Sequence, residues 1–248
     1  MPNRKCSFNV SLAESEDKLI DSLSDLLRRC SEQAKDRKTN FSLGLSGGSL
    51  VQLLTKALRS SRLDTSNWEF FFCDERYVAD DHSDSTYCAY RTEWLSQLPN
   101  ILDSQFVKAD TTKPLDECAA DYEAKVKVKV GNSPSNLPQF DLLLLGMGPD
   151  GHTCSLFPEQ PAKLEETSRL VIPIQNSPKP PPERITFTLP LINNARDVAF
   201  VVTGASKSDV VKRVFLDQDK QFPAAWVDPT SGQLTLIVDA GAGSQIKV

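Results

Sequence analysis

The chain has 248 residues, 40% of them hydrophobic and 25% charged, ordinary values for a globular protein that can bury a large core. A formal net charge of −5 argues against general nucleic-acid binding, which needs a basic face, and no apolar stretch is long enough to span a bilayer. Behind the basic start Met1-Pro-Asn-Arg-Lys-Cys-Ser7 no apolar run follows, so the N-terminus does not read as a secretory signal and a cytoplasmic protein is expected.

In chain order, Leu12 to about Ala34 carries Leu19, Leu23, Leu26, Leu27 and Cys30 at helical spacing and predicts an amphipathic helix packed on a sheet. Phe41–Leu45 predicts a strand, Ser49–Ser60 a helix and Trp68–Cys73 a second strand ending in Asp74-Glu75-Arg76. Ser83-Asp-Ser-Thr86 caps a helix over Tyr87–Leu98. Pro114–Val130 predicts another helix, although its tail Lys125-Val-Lys-Val-Lys-Val130 alternates like a strand.

Beyond a polar break at 131–138, strands are expected at Asp141–Leu145, Leu170–Ile174, Ile185–Leu189, Val198–Val202 and Leu234–Val238, with a helix over Ser206–Leu216. Strands alternating with helix-length patterns give an α/β fold, a mostly parallel sheet with helices on both faces. No repeat and no linker is visible, so one domain over residues 1–248 is expected. Six scattered cysteines, Cys6, Cys30, Cys73, Cys88, Cys118 and Cys154, form no CxxC pair or zinc spacing and read as reduced, mostly buried thiols.

Four places can carry chemistry. Ser46-Gly47-Gly48-Ser49 lies between a strand and a helix, where free N–H groups and the helix dipole favour phosphate; it reads equally as a tight turn that needs glycine. The same stretch matches G-x-S-x-G, the elbow of serine hydrolases, and Ser46, Asp74 and His152 follow in the hydrolase order. Against that reading, Ser46 falls after the first expected strand and no HGGG-type loop precedes it.

Asp74-Glu75-Arg76 sits at the mouth of an aromatic strand, either a self-neutralised corner or part of a crevice. The third place is the run Phe140-Asp-Leu-Leu-Leu-Leu-Gly-Met-Gly-Pro-Asp-Gly-His152, in which a buried strand breaks into glycines and presents Asp150 and His152. Ligands of open α/β sheets lie beyond the carboxyl ends of strands, and imidazole exchanges protons near neutral pH. His152 is therefore a candidate base, against the alternative of a structural histidine. Cys154 beside it has nothing nearby to lower its pKa, and His82 reads as a solvated loop residue. Fourth, Arg184 opens a strand and Lys207 stands at a helix start, where a cation opposes the dipole unless an anion binds beside it. Each is otherwise a surface charge. Pro178-Lys-Pro-Pro-Pro182 reads as a stiff surface loop.

Together these stretches resemble the 6-phosphogluconolactonase family. The resemblance runs through Leu45-Ser-Gly-Gly-Ser49, Cys73-Asp-Glu-Arg76, Ser85-Thr-Tyr87 with Arg91-Thr92, and Gly148-Pro-Asp-Gly-His-Thr-Cys-Ser-Leu-Phe-Pro158. It continues in Ser177-Pro-Lys-Pro-Pro-Pro182 with Arg184-Ile-Thr186, and in Thr203-Gly204 with Lys207. It implies a Rossmann-like fold related to glucosamine-6-phosphate deaminases, no metal or other cofactor, and hydrolysis of 6-phospho-D-glucono-1,5-lactone, the second step of the oxidative pentose phosphate pathway. The deaminases carry an Ile-Ala-Phe-Asn-Glu-type sequence after the histidine. Here Thr153-Cys-Ser-Leu-Phe157 lacks that acidic residue, which favours the lactonase over a deaminase-like enzyme; a serine esterase using Ser46 is the other alternative, weighed above on the context of that serine.

For such a lactonase, neutral His152 deprotonates water attacking C1, worth about 10²–10⁴ in rate, and Asp150 orients the imidazole. Backbone N–H groups of the 148–153 loop are the expected oxyanion donors. The phosphate is expected on the turn of Ser46, Gly47, Gly48 and Ser49, clamped by Arg76, Arg184 and Lys207. Asp74 either contacts sugar hydroxyls or holds Arg76. The expected partner is the small sugar-phosphate lactone alone, with no nucleic acid and no membrane, and the protein acts as a monomer or at most a weak dimer.

Overall fold

The computed structural model describes residues 8–246; Cys6 and the basic N-terminus lie outside them. Ten strands and six helices follow in order: β1 (Phe8–Ala13), α1 (Glu16–Asp36), β2 (Phe41–Leu45), α2 (Leu50–Ser61), β3 (Trp68–Phe72), β4 (Asp74–Arg76), α3 (Thr86–Gln97), β5 (Phe106–Val107), α4 (Leu115–Lys129) and β6 (Leu142–Leu145). The remainder are β7 (Val171–Ile174), β8 (Arg184–Phe187), the short α5 (Leu189–Ile192), β9 (Asp197–Val202), α6 (Ser208–Phe215) and β10 (Gln233–Asp239).

Seven strands form one parallel sheet in the order β1-β10-β9-β6-β2-β3-β5. Its central strands are buried on both faces, which explains the unbroken apolar runs of β6 and β9. Successive side chains alternate between faces. Leu43, Leu45, Phe70, Phe72, Leu142 and Leu144 pack under α1, α2 and α3. Phe71, Leu143, Leu145, Val198, Phe200 and Val202 pack against α4, α6 and a second, three-stranded sheet. Burying a side chain of this size stabilises by about 1.5–3 kcal/mol, so the two faces together hold the sheet between its layers.

The second sheet, β4-β8-β7, is antiparallel. Cys73 joins it to the first: its N–H donates to Leu45 of β2 at 2.8 Å, and its carbonyl accepts from Phe187 of β8 at 2.8 Å. The Tyr122 hydroxyl, arriving from α4, satisfies both the N–H and the carbonyl of Phe72 where the chain leaves the parallel sheet.

Several boundaries differ from expectation. The first helix starts at Glu16, not Leu12, because Ser15 caps it by accepting from Lys18 N–H; residues before it form β1 at the sheet edge. Phe41–Leu45 is therefore the second strand of the chain. Asp74-Glu75-Arg76 is itself a strand, and β8 runs Arg184–Phe187, one residue earlier at its start and two residues earlier at its end than the expected Ile185–Leu189. The alternating tail after Lys125 stays helical: Val126 and Val130 are buried while Val128 is 85% exposed, and the ion pairs Lys125–Asp121 and Lys127–Glu123 run along the helix at i,i+4.

Candidate active site

Strand order reverses between β2 and β6, the two neighbours at the centre of the sheet. A crevice outside the carboxyl ends of strands at such a switch point is the usual ligand site of open α/β sheets. The Ser46–Ser49 turn follows β2 and the 146–152 loop follows β6, while Asp74 follows β3 and Lys207 follows β9. Four adjacent strands thus deliver their ends to one cleft of about 180 Å³. It is lined by Ser46, Gly47, Gly48, Ser49, Asp74, Arg76, His152, Arg184 and Lys207 among others, so the structure gathers these sequence-derived candidates; Asp150 adjoins the cleft through His152. A larger hollow of about 520 Å³ beside α1 contains none of the buried unpartnered polar atoms.

The 146–152 loop folds back on itself. Gly148 N–H donates to the His152 carbonyl at 3.0 Å, and Gly151, at φ +70°, turns the chain between Asp150 and His152. Gly148 admits no side chain: a Cβ there would stand 2.2 Å from the imidazole and 2.4 Å from Asp150 Oδ1. The result is an imidazole whose Nδ1 lies 2.5 Å from Asp150 Oδ1. That separation is a short hydrogen bond; with Nδ1–H as its donor in the neutral ring, Nε2 keeps its lone pair.

The ring rests on Phe157, centroid to centroid 4.8 Å. Burial lowers the His152 pKa, opposed by Asp150, and keeps the ring neutral near pH 7. The Asp150 carboxyl is held at about 2: burial raises it, but the hydrogen bonds and charges of His152 and Lys179 prevail. Lys179 Nζ lies 2.9 Å from Asp150 Oδ2.

Opposite, the cleft is rich in donors without acceptors. The amides of Gly47, Gly48 and Ser49 have no acceptor among the described residues, and Ser46 Oγ, Thr86 Oγ1 and Arg76 Nε are buried without partners. Leaving a donor buried and unpaired costs about 1–3 kcal/mol, so three in one place point to a ligand that accepts hydrogen bonds. Thr86 Oγ1 and Arg76 Nη2 stand 3.5 and 4.0 Å from the Cβ position of Gly47.

Arg76 Nη1 is spent on the Asp84 carbonyl at 2.9 Å, which leaves the Nε/Nη2 edge of its guanidinium open. Arg76 is also in direct register with Arg184 across β4 and β8, a like-charge pair that disfavours itself unless an anion lies between. The Lys207 ammonium has no hydrogen-bond or ion-pair partner among the described residues, and burial lowers its pKa. Cations and hydrogen donors dominate this set, which suits a phosphate rather than a metal ion.

Three expectations change here. Arg184 is not free to grip phosphate with its whole fork: Nε and Nη2 donate to the carbonyls of Pro181, Lys179 and Pro180 at 3.2, 3.1 and 2.9 Å. Nη1 lies 3.4 Å from Ser155 Oγ and 3.8 Å from Asp74. Asp74 accordingly holds Ser155, at 2.7 Å, and Arg184 rather than Arg76. In the 148–153 loop the amides of Gly148 and Gly151 are already bonded within the loop and Thr153 bridges Leu156, leaving that of Asp150 without an acceptor among the described residues.

Glu75 caps α3, accepting from the amides of Thr86 and Tyr87 at 2.7 and 2.8 Å. A Ser46–His152–Asp74 triad is not assembled: the carboxylate on the imidazole is Asp150, and Ser46 Oγ bonds neither. Cys154 is buried against Cys73, which pushes its thiol up and away from nucleophilic use. His82 accepts from Asp84 N–H in an exposed loop. Sequence reasoning gave Thr86, Phe157 and Lys179 no role in the site, although each lies in a stretch that carries the family resemblance.

The sequence profile of the family described as glucosamine-6-phosphate isomerases/6-phosphogluconolactonase matches residues 14–236. The chain belongs to this family. It is 69% identical over 247 residues to the probable 6-phosphogluconolactonase of Drosophila melanogaster, covering all of this chain and 99% of that protein. To the human 6-phosphogluconolactonase it is 43% identical, over 96% of this chain and 94% of the other. The solved structure of the 6-phosphogluconolactonase of Trypanosoma brucei superposes with a TM-score of 0.84 at 25% identity, covering 97% of this chain and 99% of that one. In this chain the Rossmann-like fold carries its cleft at the switch point described above.

Proposed function

We propose that this chain hydrolyses 6-phospho-D-glucono-1,5-lactone to 6-phospho-D-gluconate. The observation that carries the residue assignment is the Asp150–His152 pair facing unpartnered donors across one cleft at the β2/β6 switch point. A lactone is an activated ester, so water suffices as nucleophile. Nε2 of neutral His152 takes a proton from water as its oxygen bonds to C1. The tetrahedral intermediate then collapses, the bond from C1 to the ring oxygen breaks, and the imidazolium returns that proton to the departing oxygen. Asp150 keeps Nδ1 protonated and steadies the imidazolium.

The phosphate rests on the amides of Gly47, Gly48 and Ser49, the hydroxyls of Ser46 and Thr86, the open edge of Arg76 and the ammonium of Lys207. Arg184 contributes charge and builds the wall rather than gripping with its fork. Anchoring this remote group fixes the lactone for attack. The family resemblance supports placing the reaction at the second step of the oxidative pentose phosphate pathway, in the cytoplasm, with the protein acting as a monomer or weak dimer. Among the described residues no helix is long and apolar enough to cross a membrane.

The test is lactone opening on freshly generated substrate, corrected for spontaneous hydrolysis. His152→Ala is expected to lower kcat by about 10²–10⁴ with KM little changed. Full activity in that variant would overturn the assignment.

A further inference from the structure

The loop between β7 and β8 brings a third charged group to the imidazole. Its backbone is fastened at every turn. Ser177 N–H donates to the Pro182 carbonyl at 2.9 Å, Ser177 Oγ donates to the Lys179 carbonyl at 2.8 Å, and Lys179 N–H donates back to that hydroxyl at 3.2 Å. Arg184 takes the carbonyls of residues 179, 180 and 181 with Nε and Nη2. A buried arginine is thus used to hold a surface loop, and what that loop presents to the cleft is the Lys179 side chain. Its Nζ stands 2.9 Å from Asp150 Oδ2 and 3.0 Å from His152 Nδ1.

We propose that Lys179 is a positioning residue for the hydrolysis: by holding Asp150 Oδ2 it turns Oδ1 onto Nδ1–H of His152, fixing the tautomer that leaves Nε2 free as base. The proposal rests on the assignment of His152 as that base. Nδ1 already carries the proton it shares with Asp150, so the ammonium 3.0 Å away cannot donate to it. Its contact with the ring is electrostatic and opposes a second ring proton.

The other charged groups facing the pair are few. Asp150 and, more distantly, Asp74 favour the imidazolium; burial and Lys179 oppose it. Lys207 repels Lys179 across the cleft. Lys179 therefore sharpens the division of labour within the pair. It keeps the carboxylate ionised and aligned, and it keeps the resting imidazole unprotonated where activity needs a lone pair. A phosphate ligand would leave a different trace, because losing it weakens substrate binding and leaves the ring alone.

The experiment compares wild type, Lys179→Met and Lys179→Arg for kcat and KM across the neutral pH range, with His152→Ala alongside. Lys179→Met is expected to lower kcat about tenfold at neutral pH, less than the roughly 10²–10⁴ of a whole general-base contribution because the base itself remains. It is expected to move the acid limb of kcat/KM up by about one pH unit, as removal of a neighbouring like charge requires, with KM within about twofold. Lys179→Arg, which keeps the charge, returns the limb to its wild-type position.

A limb that stays put while KM rises tenfold would make Lys179 a substrate ligand and overturn the proposal, as would no change at all. The chain has two histidines, so nitrogen NMR of the wild-type protein, with His82→Gln for assignment, reads the tautomer directly even if Lys179→Met does not fold. The Nδ1–H form is expected, and a neutral ring protonated at Nε2 overturns the proposal. An inactive His152→Ala beside an unaffected Lys179→Met rejects the role of Lys179 alone, whereas an active His152→Ala rejects the base assignment beneath it.

Discussion

At the scale of single residues, the site depends on how closely backbone and side chains approach. Gly148 illustrates this, because its missing Cβ is the space in which Asp150 and His152 meet. Gly148→Ala is expected to push the imidazole and carboxylate apart by about an ångström and to lower kcat on the order of 10²-fold, with the thermal midpoint changed far less. Steady-state kinetics beside a melting curve checks this; a variant with wild-type kcat would mean that the pair does not need its present geometry. His152, Asp150 and the serine-glycine turn were legible in the sequence because glycine, proline and a scarce histidine after an apolar run have few other reasons to occur together. Thr86 and Lys179 were not. Each matters through an atom that reaches the cleft only after a separate segment has folded: Thr86 through the start of α3, which Glu75 caps, and Lys179 through a loop that Arg184 fastens. No local pattern encodes such a meeting.

At the scale of elements, the sequence announced what was periodic and apolar and hid what was short or polar. β2, β3, β6 and β9 showed as apolar runs because a strand covered on both faces must be apolar throughout. β1, half-exposed at the edge, merged with the helix after it, and β4 consists of three charged residues whose pairing with β8 is set by distant sequence. The joints between elements were equally silent. Asp141, just before β6, accepts from the Ser42 amide and hydroxyl, both at 2.9 Å, and pairs with Arg37 and, at 3.6 Å, with Arg196. This buried carboxylate ties the starts of β2 and β6, the strands whose far ends carry the site. Asp141→Ala takes the carboxylate from two arginines and a backbone donor and is expected to destabilise the protein by about 3 kcal/mol. Urea unfolding reads this as a lower midpoint at unchanged slope, and kcat of the remaining folded protein is expected to stay at the wild-type value, since the joint lies at the opposite end of the strands. A loss of kcat with intact stability would contradict that separation.

At the scale of the whole molecule, a chain of net charge −5 proposed to bind a dianion must set a local field against its global one. Arg76, Arg184 and Lys207 line the cleft, and Lys179 stands at its rim beside Asp150. They come from three separate parts of the chain, β4, the β7–β8 loop with the start of β8, and the segment that follows β9, and the field they set up reaches into solvent over one Debye length, about 8–10 Å at ordinary ionic strength. Acidic residues elsewhere repel the substrate at long range, and added salt screens that repulsion too. The two effects therefore pull KM in opposite directions. Contact distances decide between them: donors that touch the phosphate act at a few ångströms in a partly desolvated cleft, where charges interact several-fold more strongly than across water. Raising ionic strength from low salt to about 0.5 M, which shortens the Debye length to roughly 4 Å, is accordingly expected to raise KM several-fold while kcat, set by a neutral imidazole and water, holds constant. Initial rates in sodium chloride read this directly. If KM falls instead, the global acidic field governs substrate entry, and the cluster of cations at the switch point is not what draws the phosphate in.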